Sequence, residues 1–229
     1  MSGMCGRIIQ SSGPLRLAIV DGLNVPDPRI SGLKPRYNGA PSQELLVIRE
    51  NHETGRRSLD LLRWGLVPHW CEDKAGGRKP INAKAETVAG LPSFRDAYAR
   101  RRCIVPVDGF FEWHKAGRRP YAVAMRDGSP FAIGGLWESW KSPVTGRWIR
   151  TFCILTTPAN VMVSRIHDRM PLILARADCD RWLGREADPA DLLKSYPSAD
   201  MTMWPISTRV NSPSNDDPSI LEPAAQQQA

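Results

Sequence analysis

Four short segments of this chain carry residue types that could do chemistry. The first is Met4-Cys5-Gly6-Arg7. If Met4 is the start and is removed, Cys5 becomes the N-terminus and carries an amine and a thiol on adjacent carbons. An α-amino group titrates near ~7.7–8.0, so part of it is neutral at physiological pH. A neutral amine condenses with an aldehyde to an imine, and the neighbouring thiol can close onto that imine as a five-membered thiazolidine. An internal cysteine cannot do this, because its nitrogen is an amide. The plainer role is a small buried apolar residue, which is what most free cysteines are. Position alone favours it. Met1-Ser2-Gly3 precedes Met4, so removal of Met1 alone would leave Ser2 in front.

The second segment is Pro80-Ile81-Asn82-Ala83-Lys84-Ala85-Glu86-Thr87. In an extended chain Asn82, Lys84 and Glu86 share one face. Asn82 offers a donor and an acceptor, and Lys84 can hold a phosphate. A solvated strand face explains the same pattern. The third is Asp108-Gly109-Phe110-Phe111-Glu112-Trp113. A carboxyl placed against aromatic rings in a dry pocket has its pKa raised and can act as a general acid. Alternation with Phe111 inward and Glu112 outward fits equally well. The fourth is Ile166-His167-Asp168-Arg169-Met170-Pro171, a loop that presents an imidazole able to exchange protons near neutrality. Of the four histidines, His167 is the best catalytic candidate; a lone histidine is more often structural.

The elements that must position these residues are mostly short strands. Apolar or alternating runs of strand length cover residues 45–49, 59–64, 103–107, 121–125, 131–136 and 149–155. Asp127-Gly128 and Val144-Thr145-Gly146 supply turns between them. Helices are expected over 91–102, 158–164, 177–183 and 189–195. No repeat or Ser/Gly-rich linker divides the 229 residues, so one domain is expected. Many strands with few helices predict an α+β fold, mainly antiparallel β. Residues 71–80 read as a charged mobile loop, and 224–229 as a disordered tail.

Composition narrows the function classes. Apolar residues at 41% and charged residues at 24% suit a globular core. No run reaches the ~18 apolar residues of a membrane span. No secretory signal is visible, so a cytoplasmic protein without membrane contact is expected. The net charge of +7 favours polyanionic partners, nucleic acid above all, as a weak signal. The five cysteines form no CxxC pair, so neither a zinc site nor a disulfide framework is predicted, and no metal or other cofactor is expected.

Together the four segments closely resemble the SOS-response-associated peptidase (SRAP) family of abasic-site processing proteins. Further motifs carry the likeness: Arg36-Tyr37-Asn38-Gly39-Ala40-Pro41, Trp64-Gly65-Leu66-Val67-Pro68, and Trp204-Pro205-Ile206-Ser207 followed by Val210-Asn211. Six motifs stand in family order from Cys5 to the His167 loop, and the likeness spans nearly the whole chain, with a domain over 4–223. It implies an SRAP-type fold and a monomer that binds single-stranded DNA and covalently caps abasic sites. Cys5 would be the nucleophile on the ring-opened sugar and Asn82 would orient it. Glu112 would be the general acid–base, and His167 would shuttle protons in thiazolidine closure and reversal. Arg7, Arg36, Asn38, Pro41, Trp70, Lys84 and Arg169 would line the DNA groove. A lingering imine could also cut the strand, and a peptidase step could remove the residues before Cys5. Lys84 departs from the arginine commoner in the family; it keeps the charge but loses bidentate phosphate geometry. Two rival classes remain: an N-terminal-nucleophile (class II) glutamine amidotransferase, whose chains also begin Met-Cys-Gly, and a non-catalytic single-strand binder.

Overall fold

The apolar runs of the sequence become two β-sheets that share a core. A computed structural model describes residues 5–18, 23–24, 29–30, 32–51, 53–72, 79–184 and 188–224. The expected removable segment 1–4, most of the 71–80 loop and residues 225–229 of the expected tail lie outside the described residues. Ala224, assigned to that tail, is held in place: its N–H donates to the Pro205 carbonyl at 2.9 Å.

The strands are β1 (Arg7–Gln10), β2 (Leu23–Asn24), β3 (Arg36–Gly39), β4 (Glu44–Asn51), β5 (Arg56–Trp64), β6 (Asn82–Lys84) and β7 (Arg102–Val107). They continue as β8 (Gly109–Trp113), β9 (Pro120–Met125), β10 (Phe131–Lys141), β11 (Trp148–Pro158), β12 (Arg169–Pro171), β13 (Ile173–Leu174) and β14 (Met201–Pro205). Among the described residues the smaller sheet has five strands in the order β14-β9-β8-β1-β3. The larger follows β12-β11-β10-β7-β4-β5-β2, with β13 on β10 and β6 on β11. A parallel contact, Thr151 beside Arg63 and Phe152 beside Trp64, also joins β11 to β5. It closes β4, β5, β7, β10 and β11 into a ring, so these strands leave each other no free edge. The pairs along both sheets are antiparallel except where β2, β5, β6 and β11 meet, as the predicted class requires.

The ring strands bury both faces. One face, with Leu46, Ile48, Leu59, Ile104 and Leu155, packs on Tyr98 and Trp182 of the helices. The other, with Val47, Leu62, Trp64, Val105, Phe152 and Ile154, packs on the smaller sheet through Ile8, Phe110 and Val123. Gly109 sits where the sheets turn into each other. A Cβ there would lie 2.7 Å from the Val123 carbonyl oxygen, closer than any side chain tolerates. The small residue therefore fixes the register of β8 between β1 and β9.

Helices are shorter than the sequence predicts. The expected helix 91–102 is α-helical only over Arg95–Arg100. Arg102 opens β7 instead, and its buried guanidinium donates to the carbonyls of Tyr98, Trp182 and Gly184. The expected helix 158–164 is replaced by the end of β11 and one 3₁₀ turn, Val163–Arg165. There Asn160 Oδ1 accepts from the N–H groups of Met162 and Val163, a side-chain turn that competes with a longer helix. The expected helix 177–183 stands as Cys179–Leu183 after a 3₁₀ turn, and 189–195 contracts to Ala190–Leu192. Among the described residues no helix is long and apolar enough to cross a membrane.

Candidate active site

Strand pairing brings the first and third motifs together. Arg7 lies opposite Phe111 and Ile8 opposite Phe110 in the β1–β8 ladder. Continuing that register carries Cys5 to the end of β8, and its backbone N–H donates to Glu112 Oε2 at 3.1 Å. Both residues are buried, Cys5 completely and Glu112 to 1% exposure. The inward and outward readings of Glu112 are thereby decided. Phe111 packs under Ile206, Val210 and Ile220, and Phe110 packs against the larger sheet. With both faces of β8 covered, Glu112 shares the Phe110 face and points between the sheets.

Glu112 has no cationic partner among the described residues. Its carboxylate accepts only N–H groups, from Cys5 and from Trp113 at 3.1 Å each. Burial pushes its pKa up to about 7, the two N–H donors hold it back, and the charge of Asp168 adds to the rise. Burial, reinforced by Glu112, pushes the Cys5 thiol well above its usual value. A thiolate nucleophile needs the opposite environment. The pocket therefore holds a protonated thiol beside a carboxyl that can give or take a proton at neutral pH.

The second motif reaches the same corner through the larger sheet. β6 lies parallel to β11 with Asn82 opposite Ile154. The Trp64 indole N–H fixes its approach by donating to the Ile81 carbonyl at 2.9 Å. Asn82 Nδ2 then points at the Cys5 carbonyl oxygen at 3.4 Å. Asn82, Lys84 and Glu86 do not form one continuous strand face, because β6 ends at Lys84 and Glu86 lies in the turn that follows.

His167 is 4% exposed and sits in the turn before β12. Its Nδ1 lies 3.0 Å from the Arg169 N–H and 3.3 Å from the Arg169 carbonyl oxygen. Asp168 Oδ1 lies 3.2 Å from the same nitrogen. Among the described residues no hydrogen bond joins the imidazole to Cys5 or Glu112. The loop is fastened to the end of β8 through Lys115, whose N–H donates to the Ile166 carbonyl and whose ammonium meets Asp168 at 2.8 Å.

The seven residues expected to line a groove divide. Trp70 is 54% exposed, Lys84 is exposed and Pro41 half-buried. Arg7 is half-buried and donates to the carbonyls of Gly6 and Asn211. Arg36 pairs with Asp216 at 2.8 Å. Asn38 is fully buried, and its amide serves the carbonyls of Val210, Ser212 and Asn215. It pins the 210–215 loop and presents nothing to solvent. Arg169 grips Glu86 through both carboxylate oxygens and donates to the Thr156 carbonyl at 2.6 Å. Sequence reasoning did not place Asp216, Glu86 and Thr156 in this architecture. Asp216 lies nearly two hundred residues from Arg36, and no local spacing signals such a pair.

Comparison with known proteins adds to this geometry. The family described as SOS response associated peptidase (SRAP) matches residues 4–213. The chain belongs to that family. It is 40% identical over 195 residues to the abasic site processing protein YoqW of Bacillus subtilis, covering 82% of this chain and 86% of that one. Similarity to the abasic site processing protein YedK of Escherichia coli is 31% over 235 residues, across 96% of this chain and all of YedK. A solved structure of a protein from Bacteroides thetaiotaomicron superposes with a TM-score of 0.85 at 28% identity, over 96% of this chain and all of that one. The SRAP-type fold expected from the motifs is thus the observed fold.

Proposed function

We propose that this protein binds single-stranded DNA and caps abasic sites covalently through Cys5. The observation that carries the reading is the Cys5 nitrogen 3.1 Å from a buried carboxyl poised near neutrality. With Cys5 as the N-terminus, that nitrogen is an amine. Glu112, protonated, supplies the proton that opens the deoxyribose ring and frees the aldehyde. Its carboxylate then takes a proton from the attacking amine. The amine nitrogen bonds to the aldehyde carbon and water leaves with the carbonyl oxygen, giving the imine. The thiol sulfur adds to the same carbon and its proton passes to the nitrogen, which closes the thiazolidine. His167 serves the proton transfers of closure and reopening, and Asn82 orients the Cys5 backbone. A thiol kept protonated by burial suits an order in which the amine attacks first. An imine that lingers permits strand cleavage by β-elimination, a lyase activity at the same atoms.

The groove is the rest of the reading. Trp70 offers a stacking face and Lys84 a phosphate contact. Arg7 and Arg36 on the smaller sheet and Arg169 on the larger add charge although their guanidiniums already meet carbonyls, Asp216 and Glu86, and Asn38 holds the 210–215 loop beside them. The protein acts as a monomer inside the cell, where its DNA is. Exposure of Cys5 requires loss of residues 1–4, either at Met4 as the start or by a peptidase step at the Met4–Cys5 bond. The amidotransferase alternative rests on Met4-Cys5-Gly6 alone, whereas the family match runs to residue 213.

The test is the intact mass after mixing with single-stranded DNA that carries one abasic site. Protein beginning at Cys5 should gain the mass of the DNA less one water. Protein held to retain residues 1–4 should gain nothing. Equal yields from the two forms, or no adduct from either, would refute the thiazolidine mechanism.

A further inference from the structure

We propose that the hollow bounded by His69, Arg101, Glu138, Ser139, Trp148 and Arg150 is a second nucleotide subsite. It would seat one unpaired base with its phosphate, several nucleotides from the abasic position. The proposal rests on the single-strand reading above and extends it to a surface away from Cys5.

The hollow is an open depression of about 440 Å³, of a size that small-molecule sites also have. Its most prominent wall is Trp148, which leaves 65% of its surface in water. The Lys141 ammonium stands 6.0 Å from the ring centre. Trp148 and Arg150 are two residues apart on β11 and so share a side of the strand. Arg150 is exposed and has no acidic partner among the described residues. The opposite wall is held in place from below. The Glu138 carboxylate is buried, takes Arg101 at 2.8 Å and lies 3.5 Å from His69 Nδ1. One buried carboxylate thus holds the Arg101 guanidinium in place, with the His69 ring close by. Arg101 is answered by Glu138, so Arg150 on the lining and Lys141 beside the Trp148 ring leave the hollow positive, and an exposed indole beside them is the pairing that holds a base and its phosphate without reading sequence.

Continuity with the Cys5 pocket comes from β11. The strand begins at the hollow with Trp148 and reaches Ile154, opposite Asn82, after about 20 Å at ~3.3 Å per residue. Between them Thr151 Oγ1 accepts the Val67 N–H at 3.0 Å. That bond starts the segment leading to His69 in the hollow and to the exposed Trp70 beside it. β11 itself is buried from Thr151 to Thr157, so a DNA strand leaving the Cys5 corner would cover that distance over the surface, by way of the exposed Trp70, to Trp148.

The experiment uses the full chain and labelled oligothymidylates with one central tetrahydrofuran, an abasic analogue without an aldehyde. Lengths of about five and about fifteen nucleotides bracket the reach of one site. Fluorescence anisotropy gives the affinities. Trp148→Ala and Arg150→Ala should each weaken the longer strand about five-fold or more and leave the shorter unchanged. Trp148→Phe, which keeps a stacking ring, should restore most of the loss. Variants that bind the longer strand like the unaltered protein would overturn the subsite, as would equal weakening at both lengths. If the unaltered protein binds neither strand, the single-strand reading itself fails and the subsite falls with it.

Discussion

Glu112 and Glu138 are both buried carboxylates, at 1% and 2% exposure, yet they do different work. Glu138 is met by the Arg101 guanidinium at 2.8 Å and by His69. Glu112 is met only by two backbone N–H groups. Removing a carboxylate from water is costly unless a charge or several donors answer it. Glu138 has its answer in a cation, and the pair can hold a wall in place. Glu112 lacks one, so its proton becomes movable near pH 7. Burial is common to both; in the proposed reaction what would make Glu112 the catalytic one is the absence of a cation beside the Cys5 nitrogen.

The sharpest way to break this comparison is to take the cation from Glu138. Arg101→Ala leaves the carboxylate buried with only a half-exposed imidazole nearby. Loss of one partner from a buried pair costs about 3–5 kcal/mol, and the lower end is expected because Arg101 keeps 24% of its side chain in solvent. The urea midpoint measures it. Adding Glu138→Gln to Arg101→Ala should recover most of the loss, because no unanswered charge then remains. A single variant as stable as the unaltered protein would mean that Glu138 reaches water and needs no partner.

The pH dependence of stability sharpens the other side. Glu112 titrates at about 7 when folded, against 4.5 as the ordinary value. The folded state therefore holds the extra proton between these values, and stability falls as pH rises across that window. The contribution is intact below about pH 4.5, is lost through pH 7, and amounts to about 3 kcal/mol. Glu112→Gln has no proton to lose, so its stability should be flatter over the same range. Parallel curves of unfolding free energy against pH for the two proteins would show that Glu112 is ionised in the fold and that the comparison with Glu138 is false.

Much of this contrast was legible in the sequence, and its decisive part was not. The strands were readable because Val, Ile and Leu at 45–49, 59–64 and 103–107 form runs of the right length. Their partners were not, because β5 closing onto β11 depends on residues far apart in the chain, such as Arg63 and Thr151. Glu112 stood among aromatic residues, which marked it as a candidate. Whether it faced inward depended on Ile206, Val210 and Ile220 covering the back of β8, and no pattern within β8 encodes that. Asn38 shows the same limit. Its motif resembled a groove, and its side chain instead ties down a loop from the far end of the chain. Helix lengths were overestimated where a side chain ends the helix, as Asn160 and Arg102 do.

The smallest of the three effects is the most specific to chemistry. Glu112→Gln keeps the shape of the side chain and an oxygen to accept the Cys5 nitrogen's proton bond, but it can neither give nor take a proton. In the proposed reaction, ring opening of the abasic sugar and amine attack both need that transfer. General acid–base catalysis contributes about 10²–10⁴-fold, so Glu112→Gln should slow adduct formation by at least ~10²-fold. A factor of ~10² corresponds to about 2.7 kcal/mol in the barrier. The measurement is a time course of adduct formation with abasic single-stranded DNA by protein beginning at Cys5. Affinity for a tetrahydrofuran strand should stay unchanged, because that strand has no aldehyde and asks nothing of the proton. A variant that forms adduct at the unaltered rate would make Glu112 an acceptor that merely holds Cys5, alike in kind to Glu138. Slower adduct with equal loss of strand affinity would place the defect in binding. Only a slower rate at constant affinity separates the two buried carboxylates by what they do with a proton.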